Sequence, residues 1–298
     1  MPSRLPAPLR VPLACLGAAA NVVVHVLPLL ALAVVKALVP VAAFRRAISA
    51  ALVVIAEHWI ALNGHLLRAF THTRFEVEGR EGLRRNSSYL VLANHQSWVD
   101  ILVLQDALNR RIPFLRFFLK QQLIWVPLLG LAWWALDFPF MRRYSRETLE
   151  RHPELRGKDS EATRRACAKF AELPVSVMNF VEGTRFTTDK HVAQQSPYRH
   201  LLKPKAGGVA LVLESMGGIL RGVIDVTVVY PAGRPTLMDL LADRVPRVDV
   251  QVRELSIPAE LLGGDYENDP ACRERFQAWV NALWTEKDAL MAGFTANA

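Results

Sequence analysis

The heptapeptide Asn94-His95-Gln96-Ser97-Trp98-Val99-Asp100 puts an imidazole and a carboxylate on one short stretch of chain. The apolar run 89–93 reads as a strand that delivers His95 to a loop, and Asp100 falls in the first turn of a helix over 99–108. A carboxylate there can receive the imidazole Nδ1–H, fix the tautomer and leave Nε2 as a base. A His–Asp pair without a protein nucleophile suits activation of a substrate hydroxyl. Taken alone, the spacing suits an ordinary loop hydrogen bond better, and Asp100 also suits a helix start. Ser97 stands too close to His95 for an easy base–nucleophile geometry, so its hydroxyl is expected to cap the helix.

A second group, Phe180-Val181-Glu182-Gly183-Thr184-Arg185, directly follows a strand at 175–180. Gly183 permits a tight turn and close approach of an anion. Arg185 offers a planar fork to phosphate oxygens. Glu182 can orient that arginine or a substrate hydroxyl; the plainer alternative is a salt-bridged turn. Arg142 and Arg143 follow a short strand at 138–141 and are either solvated or part of a phosphate site with Arg185. Lys120 is a weaker candidate of the same kind. The tryptophan-rich stretch 123–136 is very apolar.

The elements that must hold these groups alternate between two periods. Strands are expected at 75–79, 88–93, 138–141, 175–180, 223–229 and 248–255, and helices at 99–108, 147–154, 160–173, 207–216 and 270–288. Phe276, Val280, Leu283 and Trp284 read as the buried face of the last helix. The alternation predicts an α/β fold: a mixed, largely parallel sheet flanked by helices. No early dinucleotide-binding glycine fingerprint and no phosphate-loop motif is present.

The first 70 residues differ in kind. Residues 11–35 contain no charged side chain, and 25 helical residues span about 37 Å, enough for a hydrocarbon core of about 30 Å. Two geometries are open: one span over 12–35, or two short helices, 9–26 and 29–44, meeting near Pro28. Arg4, Arg10, Arg45 and Arg46 flank the apolar stretch, and a hairpin puts all four on one side. Residues 47–70 predict a helix lying against a bilayer or the soluble part. The expected organisation is therefore a membrane-embedded anchor over 1–70 and a catalytic domain over 71–298.

Among 298 residues, 36 are Lys or Arg and 28 are Asp or Glu, a net charge of +8. Residues 1–70 hold six basic groups and one acidic group, so most of the excess belongs to the apolar segment. The tryptophans lie in apolar runs, not among basic residues, which argues against a nucleic-acid partner. Three cysteines without CxxC spacing give no disulfide scaffold and no zinc site, and fit a reducing compartment.

Together these motifs resemble the glycerolipid acyltransferases that include the 1-acylglycerol-3-phosphate acyltransferases. The resemblance covers roughly 88–231. The family's NHxxxxD motif matches Asn94, His95 and Asp100. Its second motif matches Pro127, Gly130 and Arg143 in order. Its FPEGTR motif matches Phe180 to Arg185, with Val181 in place of proline. Its terminal strand-and-proline motif matches Val228-Val229-Tyr230-Pro231. The string from Glu182 to Thr187, followed by Lys190 and His191, looks like the branch holding several eukaryotic lysophosphatidate and lysocardiolipin acyltransferases and some bacterial relatives. Asp137 stands where many members have glycine, which is expected to alter the charge near Arg143.

The resemblance implies transfer of a fatty acyl group from acyl-CoA or acyl-acyl carrier protein to the free hydroxyl of 1-acyl-sn-glycerol 3-phosphate, giving phosphatidic acid. His95 is then the base and Asp100 its orienting partner. Arg143 and Arg185 hold the acceptor phosphate and Glu182 its glycerol side, Gly183 and Thr184 are substrate-binding with them, Lys120 is the weaker candidate, and the stretch 123–136 either is core or lines the acyl chain's path. Backbone amides or the arginine cluster serve the oxyanion. No cofactor and no metal is implied. The partners are a phospholipid surface, the lysophospholipid and the thioester donor, and the site faces the cytoplasm from a bacterial inner membrane. Other acceptors in view are lysophosphatidylglycerol, lysocardiolipin and glycerol 3-phosphate. The intact His95 and Asp100 favour an enzyme over an idle lipid-binding protein.

Overall fold

The computed structural model describes residue 3, residues 5–141, residues 151, 152, 161, 164, 165 and 167, and residues 174–296. Its elements begin with α1 (Ala7–Leu38), α2 (Ala42–Phe70), β1 (Arg74–Glu78), β2 (Ser88–Ala93), α3 (Val99–Leu108), β3 (Leu115–Phe117), β4 (Leu119–Lys120), α4 (Leu129–Ala135) and β5 (Phe140–Met141). They continue with β6 (Ser176–Phe180), α5 (Thr188–Ala193), α6 (Gly207–Met216), β7 (Leu220–Val229), α7 (Leu237–Leu241), β8 (Arg247–Leu255) and α8 (Pro270–Ala296). The chain divides into two compact units, Met1–Phe70 with Arg116–Ala166, and Thr71–Leu115 with Cys167–Ala298.

In the first unit α1 and α2 pack as an antiparallel hairpin, each helix long and apolar enough to cross a membrane. The break at Pro28 that the two-short-helix geometry requires does not occur, and α1 runs through 12–35 as the single-span geometry has it. A proline inside a helix removes one backbone donor, and α1 absorbs that loss at both Pro12 and Pro28. The chain turns instead between Leu38 and Ala42. Val39 takes an extended conformation (φ −104°, ψ 108°) because Pro40 disfavours the helical region for the residue before it. The two arms are thus 32 and 29 residues long, and the second helix starts at Ala42 instead of residue 47.

A polar layer crosses this hairpin. Asn21 Nδ2 donates to Trp59 O (3.2 Å) and Asn63 Oδ1 (2.8 Å). His25 Nδ1 lies 2.8 Å from Asn21 O, and a carbonyl only accepts, so Nδ1 carries the proton. His25 Nε2, 2.8 Å from His58 Nδ1, must then accept from His58.

The stretch 123–136 is split by side-chain size. On α4 the small Gly130, Ala132 and Ala135 face inward, while Trp125, Leu131 and Trp134 are exposed. Neither a uniform core nor a wholly inward lining is formed, because only small residues fit α4's buried face. Gly130 answers to backbone proximity: a Cβ there would stand 2.0 Å from Ile124 O. Asp137 has φ +59°, which explains why glycine is usual at this place, and its carboxylate is held by Lys36 Nζ at 2.7 Å. The strand expected at 138–141 contracts to β5, which pairs parallel with β4. The helices expected at 147–154 and 160–173 lie largely outside the described residues, as do Arg142 and Arg143.

The second unit carries the sheet, in the order β1-β8-β7-β2-β6 with β3, which begins at Leu115, at the edge. β2 runs parallel to both β6 and β7 and β1 parallel to β8, while β7 and β8 pair antiparallel. β2 is central because residues 89–93 form an unbroken apolar run, which suits a strand covered on both faces; all five are fully buried. On α8 the expected face is core, with Phe276, Val280 and Trp284 at zero exposure. Lys287 is buried beside them, where its Nζ pairs with Asp225 Oδ1 (2.8 Å) and donates to Val226 O (2.7 Å). The consequence for function is that β2 and β6 end side by side, Ala93 opposite Phe180, with β7 along the other flank of β2. The loops leaving them carry the motif residues, as expected at the carboxyl edge of an open α/β sheet.

Gly130→Ala tests the close approach in the first unit. The variant is expected to lose about 1–3 kcal/mol of stability, seen as a lower Tm in detergent solution.

Candidate active site

Asp100 sits fully buried at the start of α3 and accepts four hydrogen bonds. Its Oδ2 takes His95 Nδ1 (2.8 Å), Gln96 N (2.6 Å) and Ser97 N (2.9 Å), and its Oδ1 takes Tyr230 OH (2.6 Å). The expected imidazole–carboxylate contact is therefore present. His95 Nδ1 is the donor, and Nε2 makes no hydrogen bond among the described residues. Phe180 stacks on the imidazole at 3.9 Å between centroids. Ser97 is no nucleophile: its hydroxyl donates to Pro235 O (2.5 Å) and accepts from Val99 N (3.1 Å), close to the capping role expected.

Asn94 continues the β2–β7 ladder with its side chain. Its amide donates to Val228 O (2.8 Å) and accepts from Val228 N (2.9 Å), as a peptide unit would. This pins the chain one residue before His95. On the other flank, Phe186 N donates to His95 O (2.8 Å). The backbone of the base is thus tied to both neighbouring strand ends.

Glu182 is turned to backbone donors. It is fully buried, with Oε1 accepting from His95 N and Oε2 from Leu202 N, each at 3.3 Å. Burial pushes its carboxyl up to about 8, against those two donors and the Lys287 charge, which pull it down. Gly183 adopts φ +69°, the left-handed turn expected of it. Thr184 Oγ1 accepts from Lys190 Nζ (2.7 Å), which also reaches Arg185 O (3.0 Å). Arg185 is exposed, its guanidinium 4.5 Å above the Trp98 ring.

His95, Asp100, Glu182, Gly183, Thr184 and Arg185 therefore converge within the second unit. Lys120 is exposed on β4 in the first unit, and Arg143 lies outside the described residues. Tyr230, Gln96 and Arg234 belong to the same constellation and were not singled out from sequence. Tyr230 closes the last strand motif, one residue before its proline, and that adjacency was the available signal. Burial and Asp100 raise the Tyr230 phenol well above its ordinary value, so it stays a donor.

A family profile described as Acyltransferase matches residues 74–231, more than half of the chain. The chain belongs to this acyltransferase family. It is 25% identical over 214 residues to mouse 1-acyl-sn-glycerol-3-phosphate acyltransferase gamma, covering 67% of this chain and 52% of that protein. It is 26% identical over 257 residues to the human delta protein, covering 81% and 60%. The chain thus spans roughly half to three fifths of these relatives' length. A crystal structure of the 1-acyl-sn-glycerophosphate acyltransferase of Thermotoga maritima shares the fold, with TM-score 0.50 at 17% identity over 93% of this chain and 97% of that one.

Two effects follow from this geometry. Tyr230→Phe removes one of the four donors to the buried Asp100 carboxylate and is expected to cost about 1–3 kcal/mol of stability, read as a lower Tm. Glu182 is protonated in the fold where the unfolded chain has already released that proton. Stability is therefore expected to fall as pH rises from 4.5 through about 8. Thermal midpoints across that range should decline less in Glu182→Gln than in the parent.

Proposed function

We propose that this chain acylates the free hydroxyl of a lysophospholipid, with 1-acyl-sn-glycerol 3-phosphate as acceptor and a fatty acyl thioester, acyl-CoA or acyl-acyl carrier protein, as donor. The observation that carries this reading is His95, whose Nδ1 is fixed by Asp100 and whose Nε2 makes no hydrogen bond among the described residues, on a loop whose Trp98 also stacks with the Arg185 guanidinium. Membership in the acyltransferase family supports the reaction class, and likeness to 1-acyl-sn-glycerol-3-phosphate acyltransferases supports the acceptor.

The steps follow from the charges. The acceptor hydroxyl gives its proton to His95 Nε2 as its oxygen attacks the thioester carbonyl. The imidazolium is held by the Asp100 carboxylate. Collapse of the tetrahedral adduct forms the ester and breaks the carbon–sulfur bond, and the departing thiolate takes the proton from Nε2. The side chain closest to the base along the chain that bears a hydroxyl, Ser97, is engaged elsewhere, so direct transfer fits better than an acyl-enzyme. Arg185 carries the acceptor phosphate in this reading, and Thr184, whose hydroxyl still has its proton to give, is placed for a glycerol oxygen.

The apolar helices α1 and α2 suit a membrane anchor, since both the acceptor and the donor's acyl chain partition into lipid. We place the site on the cytoplasmic side, where acyl thioesters are made. The EGTRFT string aligns the chain with the lysophosphatidate and lysocardiolipin branch in the same proposal.

The test is a donor-by-acceptor turnover matrix on purified protein: both thioester types against lysophosphatidate, lysophosphatidylglycerol, lysocardiolipin and glycerol 3-phosphate. The fastest turnover is expected with lysophosphatidate. Faster turnover with another acceptor replaces the acceptor assignment, and none with any acceptor removes the enzyme reading. His95→Ala is expected to cut kcat by at least about 10³-fold while the protein still folds.

A further inference from the structure

The loop that follows β7 brings a second guanidinium to the His95 region. Arg234 lies with its Cζ 3.6 Å over the Phe186 ring, and its Nε donates to Gln96 Oε1 at 2.5 Å. Gln96 is itself buried and anchored, its Nε2 donating to His200 O at 3.1 Å. The loop is tied down as well, through Ser97 Oγ to Pro235 O. One edge of the guanidinium is therefore filled by a glutamine and one face by a phenyl ring. The remaining edge, Nη1 with Nη2, makes no hydrogen bond among the described residues.

Arg185 and Arg234 are held by the same two pieces of backbone. Residues 96–98 supply Gln96 to Arg234 and Trp98 to Arg185. Residues 185–186 supply Arg185 itself and the Phe186 ring beneath Arg234. The Phe186 N–H to His95 O bond joins the two pieces at the base. Four other arginines of this unit have carboxylate partners: Arg253 with Asp225 and Glu286, Arg244 with Asp239, Arg247 with Asp249 and Arg221 with Glu254. Neither Arg185 nor Arg234 has a carboxylate ion-pair partner among the described residues. The carboxylate that Arg234 feels, Glu182, has both oxygens taken by backbone N–H groups.

We infer that Arg234 is the second half of a clamp with Arg185 that selects a phosphomonoester head group on the acceptor. Two uncompensated positive charges match a phosphomonoester, which carries nearly two negative charges at neutral pH. A phosphodiester carries one, and its extra substituent removes an oxygen from the fork. Stacking on aromatic rings, in place of ion pairing, leaves both cations oriented and ready for an anion. The inference rests on the acyl-transfer reading and adds the residue that separates lysophosphatidate from lysophosphatidylglycerol and lysocardiolipin.

The experiment compares parent, Arg234→Gln and Arg234→Lys in full-length protein, with separate KM values for donor, lysophosphatidate and lysophosphatidylglycerol. Arg234→Gln is expected to raise KM for lysophosphatidate by about tenfold or more. Its expected effect on lysophosphatidylglycerol is about twofold, with donor KM unchanged. Arg234→Lys is expected to fall between, since it keeps the charge and loses the fork. Equal losses for both acceptors, an unchanged KM for lysophosphatidate, or a rise confined to the donor would each overturn the assignment. Absence of turnover in the parent overturns the acyl-transfer reading instead. In that case binding of glycerol 3-phosphate by calorimetry still decides the clamp: affinity lost in Arg234→Gln supports it, and unchanged affinity overturns it.

Discussion

The Asp100 carboxylate is a full negative charge placed where water cannot reach it. Such a charge is tolerated only when donors replace its hydration, and here four do so. Two are backbone N–H groups of the loop that carries His95, one is the imidazole, and one is a phenol from the end of β7. The same set of bonds that solvates the charge therefore shapes the loop, fixes the tautomer and ties α3 to β7. Removing the carboxylate would leave all four donors buried and unmet. Chemistry and local folding are inseparable at this point of the chain.

The rest of the site is arranged so that this loop cannot drift. Asn94 extends the sheet by one side-chain step, Glu182 and Phe186 grip the backbone of His95 from β6, and Phe180 covers the ring. Parallel strands make this possible because the ends of β2 and β6 and the exit of β7 open towards one edge. A base on a free loop would sample many orientations, whereas this one is constrained on both sides of its own residue.

Much of this was readable before any coordinates. The unbroken apolar run at 89–93 announced a strand covered on both faces, and the spacing from His95 to Asp100 announced their contact. Gly183 was legible because a turn after a strand needs its conformation. Other features were hidden for physical reasons. Glu182 has the chemistry to touch substrate, and only its burial shows that backbone donors occupy both oxygens. Arg234 lies 139 residues after His95 in the chain, and no local period connects it to Gln96. Lys287 looks like one more charge on a polar helix until Asp225 is placed beneath it. Pro28 misled because a proline is read as a break, while a long helix with neighbours tolerates it. On α4 the buried positions are glycine and alanine, while Trp134 is exposed and Trp133 half-buried, a division that the apolar run alone did not show.

The layer formed by Asn21, His25, His58 and Asn63 has a consequence for motion. Helices that touch only through aliphatic side chains can slip by a turn of about 5.4 Å and find an equivalent fit. Here a slip of that size would strand an amide and two imidazoles against hydrocarbon, which makes intermediate positions unfavourable. The hairpin is thereby locked like a key in its wards, moving as one rigid strut whose two ends keep a constant offset.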